Sequence, residues 1–149
     1  MAKPQVFTIG YEGADVDRFL TTLKDAGVAV LADVRAVALS RKRGFSKSAL
    51  RDALSGEGIA YEHFIRLGTP REGRQAARAG DAATMHRIYC DEVLATEPAQ
   101  EAFQELEALA HSRPVCLLCF ERDPAQCHRR ILAERLAGKG FKIVDLVAF

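Results

Sequence analysis

No run of apolar residues in this chain approaches the roughly 20 needed to span a bilayer, which excludes a transmembrane helix. Met1 to Pro4 carries neither the charged nor the apolar region of a secretory signal, so a cytoplasmic setting is expected. Cysteine is sparse: there are four, in a chain that is neither short nor cysteine-dense, which argues against a disulfide framework and for reduced thiols. Internal repeats, linkers and low-complexity tracts are absent. So is a large net charge: the formal balance is +1, too small to mark the whole chain as nucleic-acid binding.

What is present fits one domain over residues 1–149 with one core. The near-neutral balance hides an asymmetry. Arg35 to Arg78 carries +6 and the remainder −5, so the middle of the chain can attract a phosphate-bearing ligand. The plainer reading of most of these charges is a solvated surface.

Patterning alternates strands with helices. Gln5 to Ile9 reads as a buried strand closed by Gly10. Asp15 to Ala26 reads as a helix with Val16, Phe19, Leu20 and Leu23 at helical spacing. Val28 to Val34 is an apolar run suited to a strand buried on both faces. Ser46 reads as the cap of a helix to about Leu54, and Ile59 to Phe64 alternates as a strand. Arg66 to Gly80, with four glycines or prolines among four arginines, reads as an irregular loop of the kind that is often functional. Asp81 caps a helix to about Ala95, and Pro98 starts another to about His111. Val115 to Phe120 is the most apolar strand. Asp123-Pro124-Ala125-Gln126 predicts a helix start, with the helix running to about Ala137 before a last strand at Phe141 to Ala148. The expected fold is therefore α/β: a single three-layer domain with a mainly parallel sheet of about five strands.

In such sheets ligands bind at the carboxyl ends of the strands. Three chemically loaded segments fall there: Gly10-Tyr11-Glu12-Gly13, Asp33-Val34-Arg35 and Cys119-Phe120-Glu121. Cys127 and His128 are expected in the first turn of the following helix, with His128 toward the sheet and Arg129 at the edge. A helix start and a neighbouring cation lower a thiol's pKa, so Cys119 or Cys127 is a candidate nucleophile, with Glu121 and His128 as reactive or orienting groups. The competing reading makes both cysteines small buried hydrophobes and His128 a hydrogen-bonded core histidine. Cys116-x-x-Cys119 ahead of Cys127-His128 suggests zinc. However, positions three apart on a strand point to opposite faces, and Leu117-Leu118 does not make a knuckle, so no metal is expected. Asp33 and Arg35 share a face and either pair or reach a common pocket. Tyr11, in the tight turn after Gly10, and Ser40 and Arg41, in the loop before a helix start, are candidate ligand contacts, together with Arg35 and Arg129. Phe45 either stacks on a base or staples the helix. His63, His86 and His111 stand alone and are read as no one's ligands.

Thr8-Ile9-Gly10-Tyr11, Asp33-Val34-Arg35, Ser40-Arg41 with Phe45-Ser46 and Leu50, Tyr61 with Leu67-Gly68, and Cys119-Phe120-Glu121 to Cys127-His128-Arg129 occur in this order. Together they resemble domain-of-unknown-function family 488 over nearly the whole chain. The resemblance implies a small α/β domain with a shared polar cluster at Tyr11, Asp33, Arg35, Ser40, Arg41, Cys119, Glu121, Cys127, His128 and Arg129, and brings no activity with it. Cys116 lies outside that pattern. The Asp-Val-Arg strand end also looks like that of rhodanese-type sulfurtransferases. Their cysteine loop closes on an arginine six positions on, where this chain has Ala125, so only a fold-level likeness remains.

The leading expectation is a cleft at the strand ends that binds a phosphate-bearing ligand, nucleotide or nucleic acid. The alternatives are a cysteine-dependent enzyme of sulfur transfer or hydrolysis, and a non-catalytic interaction module. No cofactor and no membrane are expected, and protein partners are not legible.

Overall fold

The computed structural model describes residues 3–148; Met1, Ala2 and Phe149, at the ends of the expected domain, lie outside the described residues. Five strands form one parallel sheet: β1 (Gln5–Gly10), β2 (Val30–Asp33), β3 (Ala60–His63), β4 (Val115–Cys119) and β5 (Lys142–Leu146). Their order across the sheet is β3-β2-β4-β1-β5, and every pairing is parallel. β4 sits at the centre because it is apolar at every position. All five of its residues are buried, so both of its faces meet helices.

Helices α1 (Val16–Asp25) and α2 (Lys47–Gly56) cover one face. Phe19 and Leu23 of α1 and Leu50 and Leu54 of α2 are fully buried against Phe7, Ile9, Leu31, Cys116 and Leu118. Transfer of each such leucine out of water contributes about 1.5–3 kcal/mol. Helices α3 (Arg71–Arg78), α4 (Ala82–Ile88), α5 (Glu97–Ser112) and α6 (Arg129–Ala137) supply the other face, with Ala102, Leu106, Leu132 and Leu136 packed on Val6, Ala32, Val115 and Leu117. The result is the expected three-layer α/β domain. No helix among the described residues is long and apolar enough to cross a membrane.

Three local expectations change. Arg66 to Gly80 is not an irregular loop: a 3-10 turn at Ile65–Leu67 leads into α3. The inward stripe of α3 is Gly73 and Ala77, small residues that register weakly in a hydrophobic pattern, and a Cβ at Gly73 would stand 2.2 Å from Thr69 Cγ2. The helix predicted from Asp123 breaks in two: a 3-10 turn at Pro124–Gln126, then Cys127 in extended conformation (φ −129°, ψ 144°), then α6 with His128 at its N-cap position. Cys127 and His128 therefore form the junction before α6 and not its first turn. Ser46 occupies the N-cap position of α2 but does not cap it. Its hydroxyl accepts from Ser40 N–H at 2.9 Å and donates to the Ser40 carbonyl, which closes the Ser40–Ser46 loop.

Candidate functional site

The chain leaves β2 toward α2 on one face of the sheet and leaves β4 toward α6 on the other. The two adjacent strand ends therefore part, which is where parallel sheets open a crevice. A cleft of about 840 Å³ lies there. Tyr11 and three segments line it: Arg35 to Lys42 with Ser46 from the β2 side, Thr69 to Arg78 with Met85 from α3 and α4, and Cys119 to Glu121 with His128 from the β4 side.

Asp33 and Arg35 are the buried foundation of the cleft. Arg35 Nη2 donates to Asp33 Oδ2 at 2.7 Å and Nε to Oδ1 at 2.9 Å, with both side chains all but inaccessible. Arg35 Nη1 donates to the Phe45 carbonyl at 2.6 Å, and the hydroxyl of Tyr61 donates to Asp33 Oδ2. Burial opposes the guanidinium's charge, but the hydrogen bonds and charge of Asp33 outweigh it and hold Arg35 above its ordinary pKa. Burial and the adjacent carboxylate likewise raise Tyr61. Of the two sequence readings, the closed ion pair is the one observed. Arg35 touches the cleft, but its charge is already neutralised.

Tyr11 packs over this pair. Its ring stacks on Phe45 at 4.6 Å and 10°, and Arg35 sits 5.3 Å from its centroid. Phe45 is fully buried and meets Phe19 edge-on at 5.1 Å, so it serves the core and presents no face to a base. Tyr11 lines the cleft with only 3% of its surface exposed.

Strand parity separates the cysteines as expected. Cys116 points into the α1–α2 layer and Cys119 into the α6 layer. Burial raises the Cys116 thiol, and no reactivity is assigned to it. The extended Cys127 turns its side chain back onto β4, and the sulfurs of Cys119 and Cys127 are placed within bonding distance, with Cα atoms 7.2 Å apart. The expectation of unpaired thiols holds for Cys90 and Cys116, while Cys119 and Cys127 stand side by side at a Cα separation wider than a disulfide spans. The His128 ring nitrogen Nε2 lies 2.7 Å from the Val34 carbonyl, so it carries the proton and leaves Nδ1 as the lone-pair nitrogen, 3.9 Å from Cys127 Sγ. Burial lowers this histidine to about 4.

Arg129 is fully buried, not at an edge. Its guanidinium donates to Cys119 Sγ at 3.3 Å and to the carbonyls of Glu121 and Arg122, and its backbone N–H donates to Cys127 Sγ at 3.5 Å. Burial lowers its pKa, and neighbouring acidic groups partly offset this. It braces the thiol pair and is not part of the cleft lining. Glu121 is in that lining, with Oε2 3.5 Å from Cys119 Sγ, and burial raises its carboxyl.

The sequence-predicted residues Tyr11, Arg35, Ser40, Arg41, Cys119, Glu121 and His128 all line one cleft, while Asp33, Cys127 and Arg129 support it from behind. Sequence reasoning missed Lys42, Thr69, Arg74 and Arg78 as individual contacts. Arg74 and Arg78, four apart, fall on one face of α3, a spacing that the loop reading concealed. Among the described residues, none of Arg41, Lys42, Arg74 and Arg78 forms a salt bridge. Thr69 is 2% exposed, and its hydroxyl has no hydrogen-bond partner among the described residues. At the mouth, Val37, Leu39 and Phe120 are exposed.

The family model described as Domain of unknown function DUF488 matches residues 15–136. No curated protein and no solved structure gives a significant match.

Proposed function

This chain belongs to the family described as Domain of unknown function DUF488, a description that carries no activity, and from the cleft itself we propose that it binds a phosphate-bearing ligand of nucleotide type. One observation carries this reading. Among the described residues, the lining holds Arg41, Lys42, Arg74 and Arg78 against a single carboxylate, Glu121, and none of the four cations is neutralised by a salt bridge. Unpaired cations facing a concave, partly desolvated space attract anions more strongly than the same charges on an open surface. Three details agree. The unpartnered Thr69 hydroxyl offers a buried hydrogen bond. Ser46 leaves the start of α2 uncapped beside the lining. Val37, Leu39 and Phe120 give the mouth an apolar lip suited to a base or another flat organic group. A cytoplasmic setting, where such ligands are abundant and thiols stay reduced, goes with this reading.

Titration calorimetry with inorganic phosphate, pyrophosphate, a nucleoside diphosphate and a short oligonucleotide tests it. Binding of the diphosphate, weakened by Arg74→Ala and Arg78→Ala, supports the proposal; tighter binding of the oligonucleotide makes nucleic acid the ligand class. No heat from any of the four overturns it.

A second reading is cysteine-dependent chemistry, favoured by the Arg129 guanidinium 3.3 Å from Cys119 Sγ, which stabilises a thiolate on the cleft wall. Iodoacetamide labelling against pH checks it: an apparent thiol pKa below about 7.5 at Cys119 supports it, and an ordinary one overturns it.

A further inference from the structure

Outside the cationic lining, the densest cluster of chemical donors is the thiol pair with its histidine. Cys119 Sγ, Cys127 Sγ and His128 Nδ1 or Nε2 all lie within 4.8 Å of one another, on three buried residues. Each is brought there by a separate feature: Cys119 by the end of β4, Cys127 by the extended residue that breaks the helix, and His128 by the cap position of α6. This is a different set from the Cys116-x-x-Cys119 pattern, which strand parity rules out.

We propose that Cys119, Cys127 and His128 form a Cys2His site for a thiophilic divalent cation, zinc in the first instance, with a fourth position open to the cleft. Four observations carry it. First, the two Cα atoms stand 7.2 Å apart, wider than the span of about 4.4–6.8 Å over which a disulfide closes. That spacing suits two sulfurs sharing an ion that bonds each at about 2.3 Å, which holds them farther apart than a disulfide does. Second, His128 is oriented as metal-bound histidines are. One ring nitrogen is held by the Val34 carbonyl at 2.7 Å, which fixes the tautomer and turns the lone pair of the other toward the sulfurs. Third, each sulfur accepts an N–H, one from the Arg129 guanidinium at 3.3 Å and one from the Arg129 backbone at 3.5 Å, the contacts that stabilise thiolate over thiol. Fourth, Cys119 and His128 line the cleft while Cys127 does not, so a cation held by all three faces the ligand space beside Glu121. Two sulfurs and an imidazole select zinc or its neighbours over magnesium or calcium.

The chemistry balances simply. Two thiol protons leave to solvent, two metal–sulfur bonds and one metal–nitrogen bond form, and the dithiolate cancels the charge of the dication. No oxidant or reductant is needed.

The test uses the full chain, reduced and freed of metal with a chelator, and titrated anaerobically with cobalt(II). One equivalent is expected to produce a thiolate-to-cobalt charge-transfer band, which zinc then bleaches by displacement. Cys119→Ser and Cys127→Ser should each abolish the band, and Cys116→Ser should retain it. Should the serine variants fail to fold, wild type decides alone: bound zinc should protect Cys119 and Cys127 from iodoacetamide, as mapped by peptide mass spectrometry. The proposal is overturned by the absence of a band, by a band surviving both serine changes, by the absence of protection, or by closure of a Cys119–Cys127 disulfide in the presence of equimolar zinc. Arg74→Ala and Arg78→Ala should leave the cobalt spectrum intact while weakening phosphate binding, so the two claims stand or fall separately.

Discussion

The ring of His128 donates its Nε2–H to the carbonyl of Val34 at 2.7 Å, tying the start of α6 to the exit of β2. Because this bond is satisfied by the neutral ring and burial disfavours the charged one, the folded chain takes up a proton only near pH 4, whereas an unfolded histidine does so near 6.5. A folded value below the unfolded one means that the unfolded state gains protons first. The contribution is fully present above about pH 6.5 and is lost as the pH falls toward 4. At about 1.36 kcal/mol per unit the loss is on the order of 3 kcal/mol. Urea unfolding of the metal-free chain from about pH 7 to about pH 4 should show it, and His128→Gln should flatten that part of the profile. An unchanged slope in the variant would contradict the assignment.

Asp33 supports three partners at once: the guanidinium and backbone N–H of Arg35, and the hydroxyl of Tyr61. Removing it leaves a buried guanidinium with no counter-charge. Asp33→Ala is expected to cost about 3–5 kcal/mol in a denaturant titration. A cost under about 1 kcal/mol would mean that Arg35 is solvated and available to a ligand.

Gly10 and Gly56 make a matched pair. A Cβ on Gly10 would stand 1.8 Å from the Glu121 carbonyl oxygen, the same oxygen that accepts from Arg129, whereas a Cβ on Gly56 would meet nothing within 4 Å. Gly10→Ala is expected to destabilise by at least about 2 kcal/mol, because backbone must shift at the β1–β4 exits. Gly56→Ala is expected to be neutral or to stabilise by up to about 1 kcal/mol. Similar melting temperatures for both variants would refute the close packing of the two strand exits.

The cationic lining sets a further expectation. Arg74→Ala and Arg78→Ala should each weaken binding of a nucleoside diphosphate by roughly tenfold, a change of about 1.4 kcal/mol. Added salt should weaken the wild type more than either variant, since screening acts on the charges still present. A salt response identical in all three would assign the affinity to something other than these arginines.

Much of this architecture is readable in the sequence, and for physical reasons. The continuous apolar run at Val115–Cys119 announces a strand buried on both faces, and strand parity alone places Cys116 and Cys119 in different layers. The convergence of Tyr11, Arg35, Cys119 and Glu121 follows from their positions at or just past strand ends of a parallel sheet, and Ser40, Arg41 and His128 lie on the segments that lead from those ends into helices. The misreadings have causes as definite. α3 hides because its buried face is Gly73 and Ala77, which carry no hydrophobic signal. The break at Cys127 hides because Asp123-Pro124-Ala125-Gln126 is as good a start for a 3-10 turn as for an α-helix. Arg129 reads as an edge residue that could reach a ligand because sequence cannot say that carbonyls of Glu121 and Arg122 receive its guanidinium inside the fold.

The central claim, that the β2–β4 cleft receives a phosphate-bearing ligand, is tested most directly by amide chemical-shift mapping of the isotope-labelled chain during titration with a nucleoside diphosphate. The expected result is a saturable set of shifts confined to Tyr11, Arg35–Lys42, Thr69–Arg78, Cys119–Glu121 and His128, which line the cleft. An unchanged spectrum, or shifts that cluster on α5 and β5 instead, would contradict it.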